Sequence, residues 1–479
     1  MNSRILIRSN AKLRIATYVF VLIVVASPIV LGKLNSHILS GMSFIALTSI
    51  ASIVLLVKSP SYYISFCIWL WLLTPLIRRL IDFQSGFSVL NYYALAPIIA
   101  TLLCLFSIDI IIKNIRTWSI LLFSFIAVLY GYMLGVLKVG ILPASHALTE
   151  WIVPLVISIY IASNWKIIEQ MKGVFVNTLM LGISVVGLYS LVQYFYLPGW
   201  DAYWMKNIPM TSIGQPLPFQ VRVFSTLNSP MVLGPIIAAG IIVTLNTRSI
   251  VGLIASSLGS IALLLSLVRS SWGALLLGLV VLSLFQISRS PDRFVKLTSK
   301  LLILLIALAL GIGMSPLYER LEQRFDTMKS IKEDVSYEER QQLYNNVAEE
   351  ALTEIVGKGL GAVGKSQVLK KGGTTKKTAF DSGILEIPLL LGLGGAILFF
   401  IPFVVVIYTT IKTPGLLRNE FYQSSLVVII IYLAQLPFAN RLTGPAGVIL
   451  FMLIGFLLAA RKYEKYNSSK KINADIAIS

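Results

Sequence analysis

Two cysteines and two histidines stand in 479 residues, and only 13% of the chain is charged. Cys67 and Cys104 lie far apart inside apolar runs, so neither a disulfide framework nor a cysteine-based metal site is indicated, and no metal or cofactor is expected. Soluble globular chains carry about 25% charged residues, so a water-soluble class is excluded as well. His37 and His146 fall between apolar runs, which predicts solvated positions in short outer loops rather than catalytic ones. The net charge of +19 has no basic stripe with interleaved aromatics behind it, so nucleic acid is not an expected partner.

What fills the chain instead is apolar sequence, 56% hydrophobic by residue. Taking about 20 residues per crossing, spans are expected near 15–32, 38–57, 61–77, 90–111, 118–137, 150–163, 173–196, 229–246, 250–267, 271–287, 300–314, 382–411, 420–436 and 444–460. This is the pattern of an all-α polytopic membrane protein with about 12–14 transmembrane helices, and the lipid bilayer is its first partner. The 150–163 run is short for a full crossing and predicts a tilted, broken or re-entrant segment. Arg4, Arg8, Lys12 and Arg14 precede the first run as they do in a signal peptide, but the run is long and many follow, so an uncleaved first helix is expected.

Orientation follows from lysine and arginine, which concentrate in short cytoplasmic loops. With the N-terminus inside, those loops carry Lys58; Lys113 and Arg116; Lys166 and Lys172; Arg248; Arg289, Arg293, Lys296 and Lys300; and Lys412 with Arg418. The tail adds Arg461, Lys462, Lys465, Lys470 and Lys471. An even number of spans then puts both termini in the cytoplasm.

The one long hydrophilic passage, Ser315 to Phe380, exceeds what joining two spans requires. Three regions result: an N-terminal transmembrane bundle, 1–314; a large extracytoplasmic loop with short helices, 315–381; and C-terminal helices with a basic tail, 382–479. Ser315–Met328 has an interfacial helical pattern. Ser336 with Glu339 forms a capping box for a helix reaching Ile355, and Arg340 sits in its first turn, where a cation opposes the helix dipole unless an anion pairs with it.

Cations that topology does not require remain on the outer face: Arg78, Arg79, Arg222, Arg269 and Arg441, with those of the loop. Arginine at a membrane edge is costly unless it is solvated, snorkelling or paired. Several together point to an anionic head group, because a planar guanidinium gives paired hydrogen bonds to phosphate oxygens. Each singly also reads as an anchor or as a partner for Asp82 or Glu150. Two carboxylates stand at the outer end of the 382–411 run. Asp381 reads as a helix N-cap or as a proton acceptor, and Glu386 is a second candidate base about one and a half turns on.

The motifs in which these residues stand resemble a known family. RVFSTLNSPMVLG, Arg222 to Gly234, is similar to the R-x-x-G/S-T-x-x-x-P element of the O-antigen ligase and O-antigen polymerase (Wzy-type) superfamily. SLVRSSWGALLLG, Ser266 to Gly278, resembles its S-x-x-R-G-A/S element. Arg340, Tyr344 and Ala348, followed by GKGLGAVG from Gly357, resemble its R-x-x-x-W-x-x-A helix and G-x-G-x-G turn. DSGILEIPLLLGLGG, Asp381 to Gly395, matches the spacing of the ligase signature but has aspartate where the ligases have histidine. TPLIRRLIDFQSGF, Thr74 to Phe87, is similar to an early outer loop of the polymerases.

The resemblance implies a GT-C-type glycosyltransferase architecture without a metal, located in the bacterial inner membrane. It implies a polyprenyl-pyrophosphate glycan donor, undecaprenyl-pyrophosphate-linked oligosaccharide, and a polysaccharide chain-length regulator as a further partner. Arg222, Arg269, Arg340, Arg78 and Arg79 become the expected pyrophosphate ligands, and Asp381 or Glu386 the expected base. The missing histidine favours polymerase over ligase. Two readings of another class share the helix count. A lipid-linked oligosaccharide flippase calls for cations deep in the spans, whereas here they cluster at one face. A secondary transporter calls for paired broken spans in repeated halves; no repeat is found, but the 150–163 run leaves this reading open.

Overall fold

The computed structural model describes residues 2–287 except 35, 90, 209, 210 and 248; positions 292, 295, 298–300, 302, 344, 348, 355–364 and 366; and residues 382–478. The expected span at 300–314, the amphipathic segment 315–328, most of the 336–355 helix, Arg340 and Asp381 lie outside the described residues. Among the described residues there is no β-strand, only an isolated bridge between Gly214 and Val221.

The helices used below are, in chain order, α1 (Asn2–Leu31), α2 (His37–Lys58), α3 (Pro60–Ser85), α4 (Leu122–Lys138), α5 (Ile141–Ser163), α6 (Ile168–Phe195), α7 (Gly199–Asn207), α8 (Pro230–Leu245), α9 (Ile250–Leu265), α10 (Arg269–Ile287), α11 (Gly383–Ile411), α12 (Glu420–Ala434) and α13 (Gly444–Ile478). Among the described residues ten helical stretches are long and apolar enough to cross a membrane, and three shorter apolar helices, α8, α9 and α12, accompany them. The chain is an all-α, multi-pass membrane protein.

Three local expectations change. The 150–163 run is the second part of α5, an unbroken 23-residue helix that begins at Ile141. Its start was hidden by Pro143, His146 and Glu150, which interrupt the apolar pattern but not the helix; proline within the first turn removes an amide that has no intrahelical partner there. His146 therefore stands on α5 rather than in a loop, and His37 is the first residue of α2. Arg78 and Arg79 do not follow the third span but form part of it, because α3 continues to Ser85.

The chain forms two compact units. The first takes residues 1–106, 167–272 and 292–317. In it, α3 and α6 are joined by a 2.6 Å hydrogen bond between Ser65 Oγ and Thr178 Oγ1, and α6 lies so close to α9 that a Cβ on Gly187 would come within 2.7 Å of Leu258. Small residues permit this backbone approach, which dispersion rewards in a lipid environment that offers no hydrophobic drive between helices. The second unit takes 107–166, 273–291 and 318–479. Its α13 is its most enclosed span, and a Cβ on Gly455 would stand 2.6 Å from the Ser158 carbonyl of α5.

Candidate active site

The arginines of the first unit that were expected at the outer face divide into two sets. Arg79, on the last turns of α3, has no exposed surface. Its Nε lies 3.3 Å from Asp201 Oδ1, its Nη2 donates to the Ser225 carbonyl at 2.5 Å, and its guanidinium packs over Phe224 and Trp204. Asp201, at the start of α7, also accepts from Tyr189 (2.9 Å) and Gln193 (2.7 Å). Burial raises the Asp201 carboxyl above the usual carboxylate range, while Arg79 and the two donors pull it down. Gln193 Oε1 then accepts the amides of Phe224 and Ser225 at 2.9 and 2.8 Å. The network holds Ser225 at φ 53, a left-handed conformation that costs a non-glycine residue energy and that its surroundings must impose. Arg79 was expected among the anion ligands; with its charge buried against Asp201, it shapes the segment that carries Arg222.

Arg78 is likewise engaged. Its Nε donates to Asp82 at 3.2 Å and its Nη2 to the Ser88 carbonyl at 2.7 Å, and His37 Nδ1 approaches the same aspartate at 3.7 Å.

Arg222 and Arg269 form the other set, and the fold brings their motifs together. The Arg222 amide donates to Ile213 and the Val223 amide to Leu265, both through main-chain bonds, so the segment lies along the end of α9. The half-buried Arg222 guanidinium donates to the carbonyls of Ser212 (2.9 Å), Leu267 (3.3 Å) and Ser266 (3.4 Å). Carbonyls following a helix C-terminus present partial negative charge, which suits a cation there. Leu267 has φ 55, so the turn that leads into α10 is another strained conformation that its surroundings hold. The half-buried Arg269 is the first residue of α10. Further in, a Cβ on Gly234 would stand 2.5 Å from Ser271 Oγ, so the glycine that ends one motif makes room for the serine of the other. Ser229 caps α8 through the Met231 amide, with Pro230 at the first helical position.

The second unit contains the described part of the loop motifs and the candidate bases. Ser382 is the N-cap of α11, with its hydroxyl accepting from the Leu385 amide at 3.4 Å. The capping function considered for Asp381 therefore belongs to its neighbour. Tyr344, at the tryptophan position of the loop motif, bonds Ser382 Oγ at 3.0 Å and the Pro437 carbonyl at 3.2 Å. Tyr344, Ala348 and Val363 pack against Leu385 and Leu389. Half-buried Glu386 lies in the first turn of α11, where its charge suits the helix dipole. The Gly383 amide donates to Leu436, and Arg441, in the same connection before α13, is 5% exposed.

The glycine run works as backbone, not as a phosphate cradle. Gly392 breaks α11 with φ 71, ψ 166, which frees the carbonyls of Leu389 and Leu390 from their helical donors. The amides of Lys358 and Gly359 take those carbonyls at 2.8 and 3.0 Å, and Leu360 donates to Gly131 of α4 at 2.8 Å. Gly359 sits at φ 88 with a would-be Cβ 2.3 Å from the Gly135 amide, so no side chain fits there. The loop end is fixed further by Tyr130 and Lys138, whose side chains donate to the carbonyls of Val356 and Gly357 at 2.8 and 2.7 Å.

Lys138 and the partner of His146 escaped the sequence reading. Lys138 follows the expected span 118–137, where the expected topology does not require a cation, and that count could have found it. His146 Nδ1 bonds Ser366 Oγ at 3.0 Å, a contact between positions 220 residues apart that no local signal carries. Among the described residues no group of three or more His, Cys, Asp or Glu side chains stands together.

No curated protein matches the chain. A family model described as O-antigen ligase matches residues 236–400, a stretch that takes in Arg269, the loop, Asp381 and the Gly392 break. That match falls on motifs already found in the family's order and supports a membrane glycosyl-transferring protein similar to the O-antigen ligase/polymerase superfamily.

Proposed function

We propose that the protein polymerises polyprenyl-pyrophosphate-linked oligosaccharide repeat units at the outer face of the bacterial inner membrane, with both termini cytoplasmic. The observation that carries this reading is the Arg222 guanidinium bound to the very turn that delivers Arg269 to the head of α10. Carbonyl dipoles orient a guanidinium without removing its charge. In the reaction an acceptor hydroxyl attacks the anomeric carbon, the bond to the pyrophosphate oxygen breaks, and the polyprenyl pyrophosphate leaves with the bonding electrons. Arg222 and Arg269 stabilise the charge that develops on that leaving group, an interaction strongest in the transition state. The guanidinium groups do what a metal ion does in other phosphate chemistry. Arg340 and Asp381 keep the roles their motifs give them, a further cation for the pyrophosphate and the acceptor of the hydroxyl proton, with Glu386 as the alternative acceptor. Chain length would be set with a regulator protein.

Aspartate in place of the ligase histidine supports polymerisation over transfer to a lipid or protein acceptor. Deletion of the gene with complementation tests both. Loss of long glycan ladders, restored by the wild type but not by Arg269→Ala at equal expression, supports the polymerase. Intact lipid-linked ladders that no longer reach their final acceptor would show a ligase instead. Retention of both ladder and transfer would remove the glycosyl-transfer and flippase readings and leave the secondary transporter.

A further inference from the structure

The second unit carries a cluster of cations that the proposed reaction does not use. Arg116 comes from the short helix Ile115–Trp118, Lys166 from the turn beginning at Trp165, and Lys462 from α13. The two lysines meet around one indole. Lys462 Nζ lies 4.9 Å from the centre of the Trp165 ring and Lys166 Nζ 5.8 Å from it, while Tyr466 meets the same ring edge-on at 5.3 Å. Asn114 Oδ1 ties the group together by accepting Trp165 Nε1 at 2.8 Å and Lys462 Nζ at 3.0 Å. Arg116 and Lys166 both stand within electrostatic reach of Lys462.

Like charges gathered this way repel, and among the described residues none of the three takes part in an ion pair. Glu464, nearby on α13, has Arg418 as its electrostatic neighbour. The positive-inside rule asks for cations on this side of the membrane, but it does not ask them to converge from three parts of the chain. Convergence is what an anion would stabilise. The place also specifies the kind of anion. The stretches Ile115–Lys138 and Trp165–Phe195 begin here, and Gly444–Ser469 approaches its end, so the cluster lies at the membrane edge with a Trp–Tyr pair at head-group depth.

We propose that Arg116, Lys166 and Lys462 bind the phosphate-bearing head group of an anionic phospholipid, in the leaflet facing the basic C-terminal tail. The site needs only the membrane topology and is independent of the reaction proposed above. Phosphate oxygens would receive the guanidinium of Arg116 and the two ammonium groups, and the Trp165 and Tyr466 rings would flank the glycerol region.

Native mass spectrometry of the full-length protein in detergent, titrated with phosphatidylglycerol, cardiolipin or phosphatidylcholine, tests this. The wild type should retain the two anionic lipids in preference to phosphatidylcholine. Arg116→Gln, Lys166→Gln and Lys462→Gln should each weaken retention about fivefold, whereas Lys412→Gln, a lysine that packs on Tyr408 elsewhere on this unit, should leave it unchanged. Equal retention by the wild type and the three variants overturns the proposal. Equal binding of phosphatidylcholine, or complete displacement of lipid by inorganic phosphate, overturns it too. Thermal unfolding of each variant shows whether it is folded, and the three single changes keep the test valid if their combination is not.

Discussion

Two pairs of arginines expected at the outer face stand in the same unit, and their surroundings differ. Arg79 is buried with Asp201 against it, and Arg78 is held by Asp82. Arg222 and Arg269 are half-buried, and the bonds described for the Arg222 guanidinium go to main-chain carbonyls. A carboxylate cancels a guanidinium's charge, whereas carbonyl dipoles only aim it. The Arg79 network holds the backbone that follows Arg222, and in the proposed reaction Arg222 and Arg269 are the pair that meets the anion. Arginine count at a membrane edge does not separate Arg79, with its aspartate, from Arg222, with its main-chain carbonyls; the geometry does.

The largest effect expected from breaking this contrast is on stability. Arg79→Ala leaves Asp201 buried without its cation, and Asp201→Ala does the reverse, so each should cost about 3–5 kcal/mol, read as a lowered unfolding temperature in detergent. Arg269→Ala should lower glycan polymerisation about 100- to 1000-fold in protein that remains folded, comparable to removal of a transition-state donor elsewhere. If Arg79→Ala instead spared stability and abolished activity, the division between the pairs would be wrong.

The second unit sharpens the contrast, because its motif residues are positioned by backbone rather than by charge. Gly359→Ala must force a Cβ into the Gly135 amide at an unfavourable φ, which should destabilise by about 1–3 kcal/mol. Tyr344→Phe removes the hydroxyl shared with Ser382 and Pro437 and should cost about 0.5–1.5 kcal/mol, visible as faster proteolysis of the loop. A Tyr344→Phe effect as large as that of Arg79→Ala would mean that the loop, not the arginine network, organises the fold.

The helical class and most spans were legible because about 20 apolar residues in a row have few alternatives in lipid. The extension of α3 through Arg78 and Arg79 was not, since two arginines and an aspartate look like a loop until Asp201, far along the chain, provides a partner. The same holds for α5, where His146 and Glu150 broke the apolar pattern. Motif order singled out Arg222 and Arg269, but not the Ser266 and Leu267 carbonyls that Arg222 takes, because those depend on a left-handed Leu267 that no propensity predicts. The glycines of 357–364 were matched to a G-x-G-x-G turn; their pairing with the carbonyls freed at Gly392 requires two segments that only the fold brings together.

The most direct test of the account is elongation by the purified protein in a lipid nanodisc supplied with polyprenyl-pyrophosphate-linked repeat units. The wild type should yield a ladder of longer lipid-linked chains and release polyprenyl pyrophosphate, and Arg269→Ala, with an unfolding temperature equal to that of the wild type, should do neither. A folded Arg269→Ala protein that builds the same ladder at the same rate would contradict the central claim.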